Sequence, residues 1–279
     1  MKKGIKIALT VCLILAVLGA GLVAAGFMMG GSLNFRLDWR THTISTADTA
    51  EARGDLTPEP FTTLQIEVAT ADITVERGDG WSLSYALSEE PEITQENGLL
   101  KLKGKERGGV NFVGISFSTD NAPFIKITVP ADAALEEITL ATATGEVTLA
   151  DLEAERIELA CATGDISLNG VTAQTLLLAG NTGDLTLQDV TAAEQAKLTT
   201  NTGEIRAALT APGGVTAESN TGDVTLTLAG TAADFALSLE SDTGDVTVDG
   251  RDEGHSYQSS GGAAVRAESN TGDVTVRFG

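Results

Sequence analysis

A parallel β-solenoid is the fold class this sequence predicts, and three observations carry it. An eight-residue phrase, T-A-T-G-E-V-T-L at 142–149 and C-A-T-G-D-I-S-L at 161–168, keeps returning with its glycine at Gly183, Gly203, Gly222, Gly244 and Gly272. Counting from Gly145 and Gly164, successive glycines stand 19, 19, 20, 19, 22 and 28 residues apart, the mark of stacked repeats. Apolar residues alternate with polar ones after each glycine, and no stretch beyond residue 30 supports an amphipathic helix.

Each repeat reads as a strand, a tight corner and a second strand. Positions +2 and +4 from the glycine are apolar, as in Val147 and Leu149, Ile166 and Leu168, or Val274 and Val276, with Thr, Ser or once Arg206 between them. Positions −7 and −5 are apolar too, as in Ile138 and Leu140 or Leu176 and Leu178. Period-2 alternation buries one face of a strand and wets the other. One such unit cannot bury its apolar face alone, whereas stacked units share a continuous core. The corner needs glycine for positive φ or close approach. Position −2 is Asn181, Asn201, Asn220, Asp242 or Asn270, which reads as an asparagine ladder. At about 4.8 Å per coil, the seven corners extend along roughly 30 Å. The expected form is a single-stranded parallel solenoid of 19 to 20 residues per coil, with an elongated β-sandwich as the alternative.

In chain order, a basic leader at 1–6 holds Lys2, Lys3 and Lys6, and 7–29 carries no charge. That run is long enough for a transmembrane helix, and the lysines place the leader in the cytoplasm. A single-pass signal anchor with an extracytoplasmic repeat domain is therefore expected. Secretion after cleavage near Ala24-Ala25-Gly26 is the alternative. Residues 30–60 read as a tether, with an early strand pair as the other reading. Residues 61–134 read as an N-terminal β cap containing a degenerate first repeat with Ala71 in the glycine position. The array fills 135–279, with a polar loop inserted at 249–262. No polar cap follows Val276, so an open sheet edge is expected there.

The chain carries net charge −21, and residues 41–279 alone carry −25, a balance that repels nucleic acid and keeps an exported domain soluble. Cys12 falls in the predicted anchor and Cys161 in the exported domain, so they cannot pair; Cys161 reads as a small buried residue. His42 and His255 offer neither zinc spacing nor a triad, so no strong metal site and no cofactor is expected. The acidic residue after each corner would form a carboxylate column whose like charges repel by about 1 kcal/mol per neighbouring pair in water. Bonds to turn N–H groups offset this in the plain reading, and calcium does so in the alternative. Asp242 and Asp245, with Asp249, Asp252 and Glu253, are the candidate calcium ligands. Arg251, His255 and Tyr257 mark the inserted loop as a candidate ligand loop. Lys101, Lys103, Lys105 and Arg107 form a basic stripe that reads as a solvated edge or as a contact for an anionic polymer.

With its T-G-[DE]-apolar-[TS]-apolar phrases stacked behind the I-T-V-P strand at 127–130, the chain resembles a bacterial family of β-strand-repeat domains of unknown function, often labelled "putative adhesin". The resemblance covers 61–279 and brings no catalytic residues with it. It implies a surface protein or an envelope-stress regulator. The function expected is a membrane-anchored binding or scaffolding module whose partner is a surface protein, a glycan or another copy. Envelope-stress regulation is one alternative. A polysaccharide-acting enzyme using Asp242, Asp245 and Arg251 or Arg266 is the other, disfavoured because the repeat already explains those aspartates.

Overall fold

The computed structural model describes residues 35–38, 43–46, 52–105, 110–112 and 122–279. The chain divides into two compact units, Met1–Thr49 with Arg107–Asn121, and Ala50–Glu106 with Ala122–Gly279. The expected leader, the anchor at 7–29 and Arg107 lie outside the described residues. Among those described, no helix is long and apolar enough to cross a membrane. The first unit contains a three-stranded antiparallel sheet, with Phe35–Asp38 between Thr43–Thr46 and Val110–Phe112. Ala52–Leu56 is also a strand, so the interval expected as a tether carries three strands.

The second unit is the predicted solenoid. Every coil has an arm before its corner and an arm after it, and like arms pair in parallel to form two continuous sheets. Thr63–Thr70, Leu135–Thr144, Glu153–Thr163 and Thr172–Thr182 stack in one sheet. Asp72–Gly78, Val147–Ala150, Ile166–Asn169 and the start of Leu185–Thr202 stack in the other. Register is kept residue for residue: Ile138 lies beside Leu64 and Ile157, and Val147 beside Ile73 and Ile166. Parallel in-register stacking places identical repeat positions over one another, so each position of the phrase becomes a column.

All the apolar positions expected at −7, −5, +2 and +4 are buried, and they form one core running the length of the stack. A second bend was not foreseen. Asp151, Gly170 and Asp189, each six residues past a corner, have φ of 54°, 64° and 52° and turn the chain back toward the next coil. Behind this bend Leu152, Val171 and Val190 enter the core.

Both ends of the stack depart from sequence order. The coil with corner Gly272, Ala263–Thr271 and Val274–Phe278, lies between the Gly222 coil and the Gly244 coil. The chain therefore builds the Gly244 coil one layer out and later fills the gap. In between it makes two short antiparallel strands, Arg251–Asp252 on Val246–Val248 and Ser256–Gln258 on Phe235–Ser241. The open edge expected after Val276 is thus absent: that coil is interior, and residues 251–258 cover the outer one. At the other end, Leu99–Lys103 and Phe124–Pro130 form an extra parallel layer on the Ala71 coil. Glu92–Glu96 and Ser82–Leu87 cover that layer in antiparallel fashion, and Ala52–Leu56 adds to the latter. Each cap is turned by a two-residue hairpin with both central residues at positive φ, Asn97-Gly98 at 52° and 78° and Asp249-Gly250 at 48° and 76°. Antiparallel strands end a parallel stack because a hairpin joins them without another crossover.

The corner glycines carry the closest approach. Six of them, Gly145, Gly164, Gly183, Gly203, Gly222 and Gly272, have φ between 133° and 149°. A Cβ on Gly183 would meet the Gly164 carbonyl oxygen at 2.1 Å, and one on Gly203 would meet Gly183 O at 1.9 Å. Gly183→Ala is expected to cost at least about 2 kcal/mol. Gly80→Ala, where the added methyl meets nothing within 4 Å, should stay within about 0.5 kcal/mol of the parent. Urea denaturation of the two variants checks this, and equal midpoints would refute the role of the corner.

Candidate functional site

The exposed corner offers the most conspicuous polar columns, and each is engaged between coils. Position −3 supplies a donor to the preceding corner carbonyl. Thr142 Oγ1 donates to Ala71 O at 3.3 Å, Cys161 Sγ to Gly145 O at 3.1 Å and Thr200 Oγ1 to Gly183 O at 3.2 Å. Ser219, Ser269 and Ser241 donate to Gly203, Gly222 and Gly272 at 3.0, 2.9 and 2.8 Å. Cys161 belongs to this series as a small donor. Burial pushes its thiol pKa up, which suits packing rather than nucleophilic chemistry.

The carboxylate column follows the same logic. Asp72, Asp165, Asp184, Asp223 and Asp273 each accept, through Oδ1, the backbone N–H of the acidic residue in the next coil, at 2.8–2.9 Å. Glutamate is one methylene longer and turns elsewhere: Glu146 accepts from Thr148 Oγ1, and Glu204 pairs with Arg206. The asparagine ladder is present as expected, Asn201 donating to Asn181 at 2.6 Å, Asn220 to Asn201 at 2.7 Å and Asn270 to Asn220 at 3.2 Å. The last of these links residues 50 apart in sequence, as the inverted coil order requires.

The candidate calcium ligands are not gathered. Asp249 Oδ1 accepts from Phe278 N at 3.1 Å, Asp252 Oδ1 from Gly254 N at 2.9 Å, and Asp245 donates its own N–H to Asp273. Glu253 N donates to Val246 O and Asp242 N to Ser269 O. Among the described residues, no group of three His, Cys, Asp or Glu side chains is placed to hold a metal ion.

The inserted loop, the candidate for ligand binding, lines the edge of the outermost coil. Arg251 pairs with Val248 and Tyr257 with Leu239, and Tyr257 packs against the core. His255 Nδ1 lies 2.7 Å from Gly244 O, the final corner carbonyl in the stack. A carbonyl only accepts, so Nδ1 carries the proton and takes the place of the missing −3 donor. The 28-residue spacing was the available signal, with Asp249-Gly250 inside it as a hairpin turn.

The basic stripe is interleaved with acids. Lys103 lies opposite Glu67 and Glu92 and its Nζ is 3.6 Å from Glu67 Oε2, while Lys101 lies opposite Gln65 and Thr94. A recess of about 430 Å³ beside Lys103 and Lys105 is also lined by Glu89 and Glu92. Next to it, a groove of about 480 Å³ crosses the outer face of the first coils from Lys103 and Glu67 to Asn181. Its floor includes Ala141, Ala143, Ala160, Ala162 and Ala179, which stop at Cβ and leave the backbone within reach. The alternation rule predicted outward positions here and said nothing of a concavity. In the adjoining cap, the ring of Tyr85 lies where a side chain on residue 54 would be, and its hydroxyl donates to Glu90 at 2.5 Å. That bond, with burial, pushes the Tyr85 pKa up to about 12.

These features define a capped β-solenoid whose repeat residues are structural. Residues 61–278 match the family described as Toastrack DUF4097, and the chain belongs to that family. No curated protein matches it. Similar solved structures include a putative adhesin from Bacteroides fragilis NCTC 9343, at 18% identity and TM-score 0.42 over 81% of this chain and 96% of that one. Another, from Parabacteroides merdae ATCC 43184, has 13% identity and TM-score 0.42 over 84% and 100%. A putative cell adhesion protein from Clostridium sporogenes ATCC 15579 has 16% identity and TM-score 0.38 over 82% and 99%.

If the aspartates are intercoil acceptors, both Asp184→Ala and Asp184→Glu should lower stability by about 1 kcal/mol. Calcium should leave the thermal midpoint of the parent unchanged. Urea titration and thermal scans with and without millimolar calcium check both, and a calcium-dependent rise in midpoint that Asp184→Ala abolishes would reverse the assignment.

Proposed function

We propose that this chain is an adhesin-like surface module, held at the membrane through residues 7–29 and displaying its repeat domain outside the cytoplasm for binding or scaffolding. Its partner is a surface protein, a glycan or another copy, and its action is non-enzymatic. The observation that supports this reading is the closure of both ends of the stack by antiparallel strands. A stack closed in this way has a fixed length and presents its long outer faces rather than its strand edges. The polar residues of the repeat are already bonded coil to coil, so recognition falls to the shape and charge of those faces. The candidate catalytic arginine Arg266 is itself held by Glu268 at 2.6 Å and Glu218 at 3.5 Å. The acidic balance favours solubility and disfavours nucleic acid.

Protease treatment of intact cells carrying the full chain tests the display. The repeat domain is expected to be cut, or released, without lysis; full protection until lysis would sink the reading. Crosslinking at the surface of the same cells should then capture a specific protein, glycan or second copy. Capture no greater than that of an unrelated anchored domain would leave display without binding and overturn the functional half.

A further inference from the structure

The Gly272 coil occupies a slot that the rest of the unit forms around it. On one side it meets the Gly222 coil, with Val265 beside Val215 and Val274 beside Val224; on the other it meets the Gly244 coil, with Val265 beside Leu237 and Val274 beside Val246. Among the described residues, the Gly244 coil pairs only with this coil and with the cap strands of 251–258. Without residues 263–278, two parallel-ready strand edges would face one another across a gap one coil wide, and neither would have a partner.

Corner bonds mark the slot as specific. Asn270 Nδ2 donates to Asn220 Oδ1, Ser269 Oγ to Gly222 O and Asp273 N to Asp223 Oδ1 on one side. Ser241 Oγ donates to Gly272 O and Asp245 N to Asp273 Oδ1 on the other. None of these bonds depends on which chain supplies the coil. The covalent link from cap to coil is the short run 259–262, half-buried at Ser259 and exposed from 260 to 262, which passes from the outermost layer back into the slot. Its glycines run tightly past residues 234 and 235: a Cβ on Gly261 would meet Phe235 O at 2.1 Å, and one on Gly262 would meet Asp234 O at 2.5 Å.

We propose that this slot also accepts residues 263–278 from a second copy, so that two chains exchange their Gly272 coils and form a dimer. Exchange reproduces every bond that the Gly272 coil makes in the slot and gives up only the short cap ladders of 251–252 and 256–258. Residues 249–262, once released from the edge, reach about 45 Å when extended, enough to cross between neighbouring copies. The resulting pair presents two sets of outer faces in one particle and so raises the avidity of any surface contact.

The test uses the full chain with Cys12→Ser and Cys161→Ser. Thr225 and Thr275 are direct neighbours in adjacent coils and both sit on the outward side of their strands. Thr225→Cys and Thr275→Cys are placed on separate, differently tagged chains and co-expressed under oxidising conditions. A disulfide-linked species of twice the monomer mass carrying both tags, and absent from either variant alone, is the expected result. The double variant on one chain reports whether the pair can close. If it closes within monomers while the mixed chains never link, the proposal is overturned. Should Thr225 and Thr275 fail to close in the double variant, or either variant fail to fold, Thr227→Cys with Arg277→Cys, the next outward pair in the same register, decides between the same two outcomes.

Discussion

The carbonyl oxygen of each corner stands where the Cβ of the next corner would be, and the rest of the solenoid is arranged around that approach. At about 2 Å from a would-be Cβ, nothing but glycine fits without moving the backbone. The close approach lets Gly183 N donate to Thr202 O at 2.8 Å and Gly203 N to Thr221 O at 2.9 Å, so the parallel ladder continues through the corner. It also leaves the corner carbonyl pointing into the next coil. Thr, Ser or Cys three residues before the glycine supplies a donor to that carbonyl in every coil except the one with Gly180 at that position. The aspartate after the glycine satisfies the following N–H from outside. One steric condition thus selects the residue types at three positions of the phrase.

Columns made in this way offset the repulsion within a strongly acidic repeat. Like charges at coil spacing repel, yet each aspartate in the series receives a backbone N–H from its neighbour, and an N–H bonded to a carboxylate is stronger than one bonded to a neutral oxygen. Scattered arginines do the rest on the strand faces, as Arg206 does with Glu204 and Asp184, and Arg156 with Glu137 and Glu158. The Thr, Asp and Asn columns that look like an extended binding array are therefore largely committed to intercoil bonds.

A stack of parallel strands is most exposed at its ends, and here both ends use the same device. The chain lays down a coil, adds antiparallel strands outside the final layer and sends a later segment back beneath them. The Asn97-Gly98 and Asp249-Gly250 turns make the return tight, because both central residues adopt the positive φ that a hairpin of this length needs. His255 completes the outer corner by meeting Gly244 O, so the cap ends the glycine ladder as well as the sheet edges. The loop with the most individual sequence is thus the one most closely tied to the particular way this stack stops.

Much of this was legible in the residues themselves. The period of Gly145 through Gly222 and the alternation around it pointed to parallel coils with a shared core over an elongated β-sandwich, because stacked units of near-constant length bury those faces together. The asparagine ladder followed from the same register. Two features were legible but needed the right question: the hairpin turns at 97–98 and 249–250, and the second bend at Asp151, Gly170 and Asp189. The order of the last two coils was not legible. Gly244 and Gly272 carry the same phrase, and a ladder bond forms equally well whichever of them lies next to Gly222; sequence similarity between repeats makes the alternatives locally equivalent. Tertiary structure decided the matter through the cap, which must be outermost to cover an edge and so leaves the inner layer to be filled by the later coil.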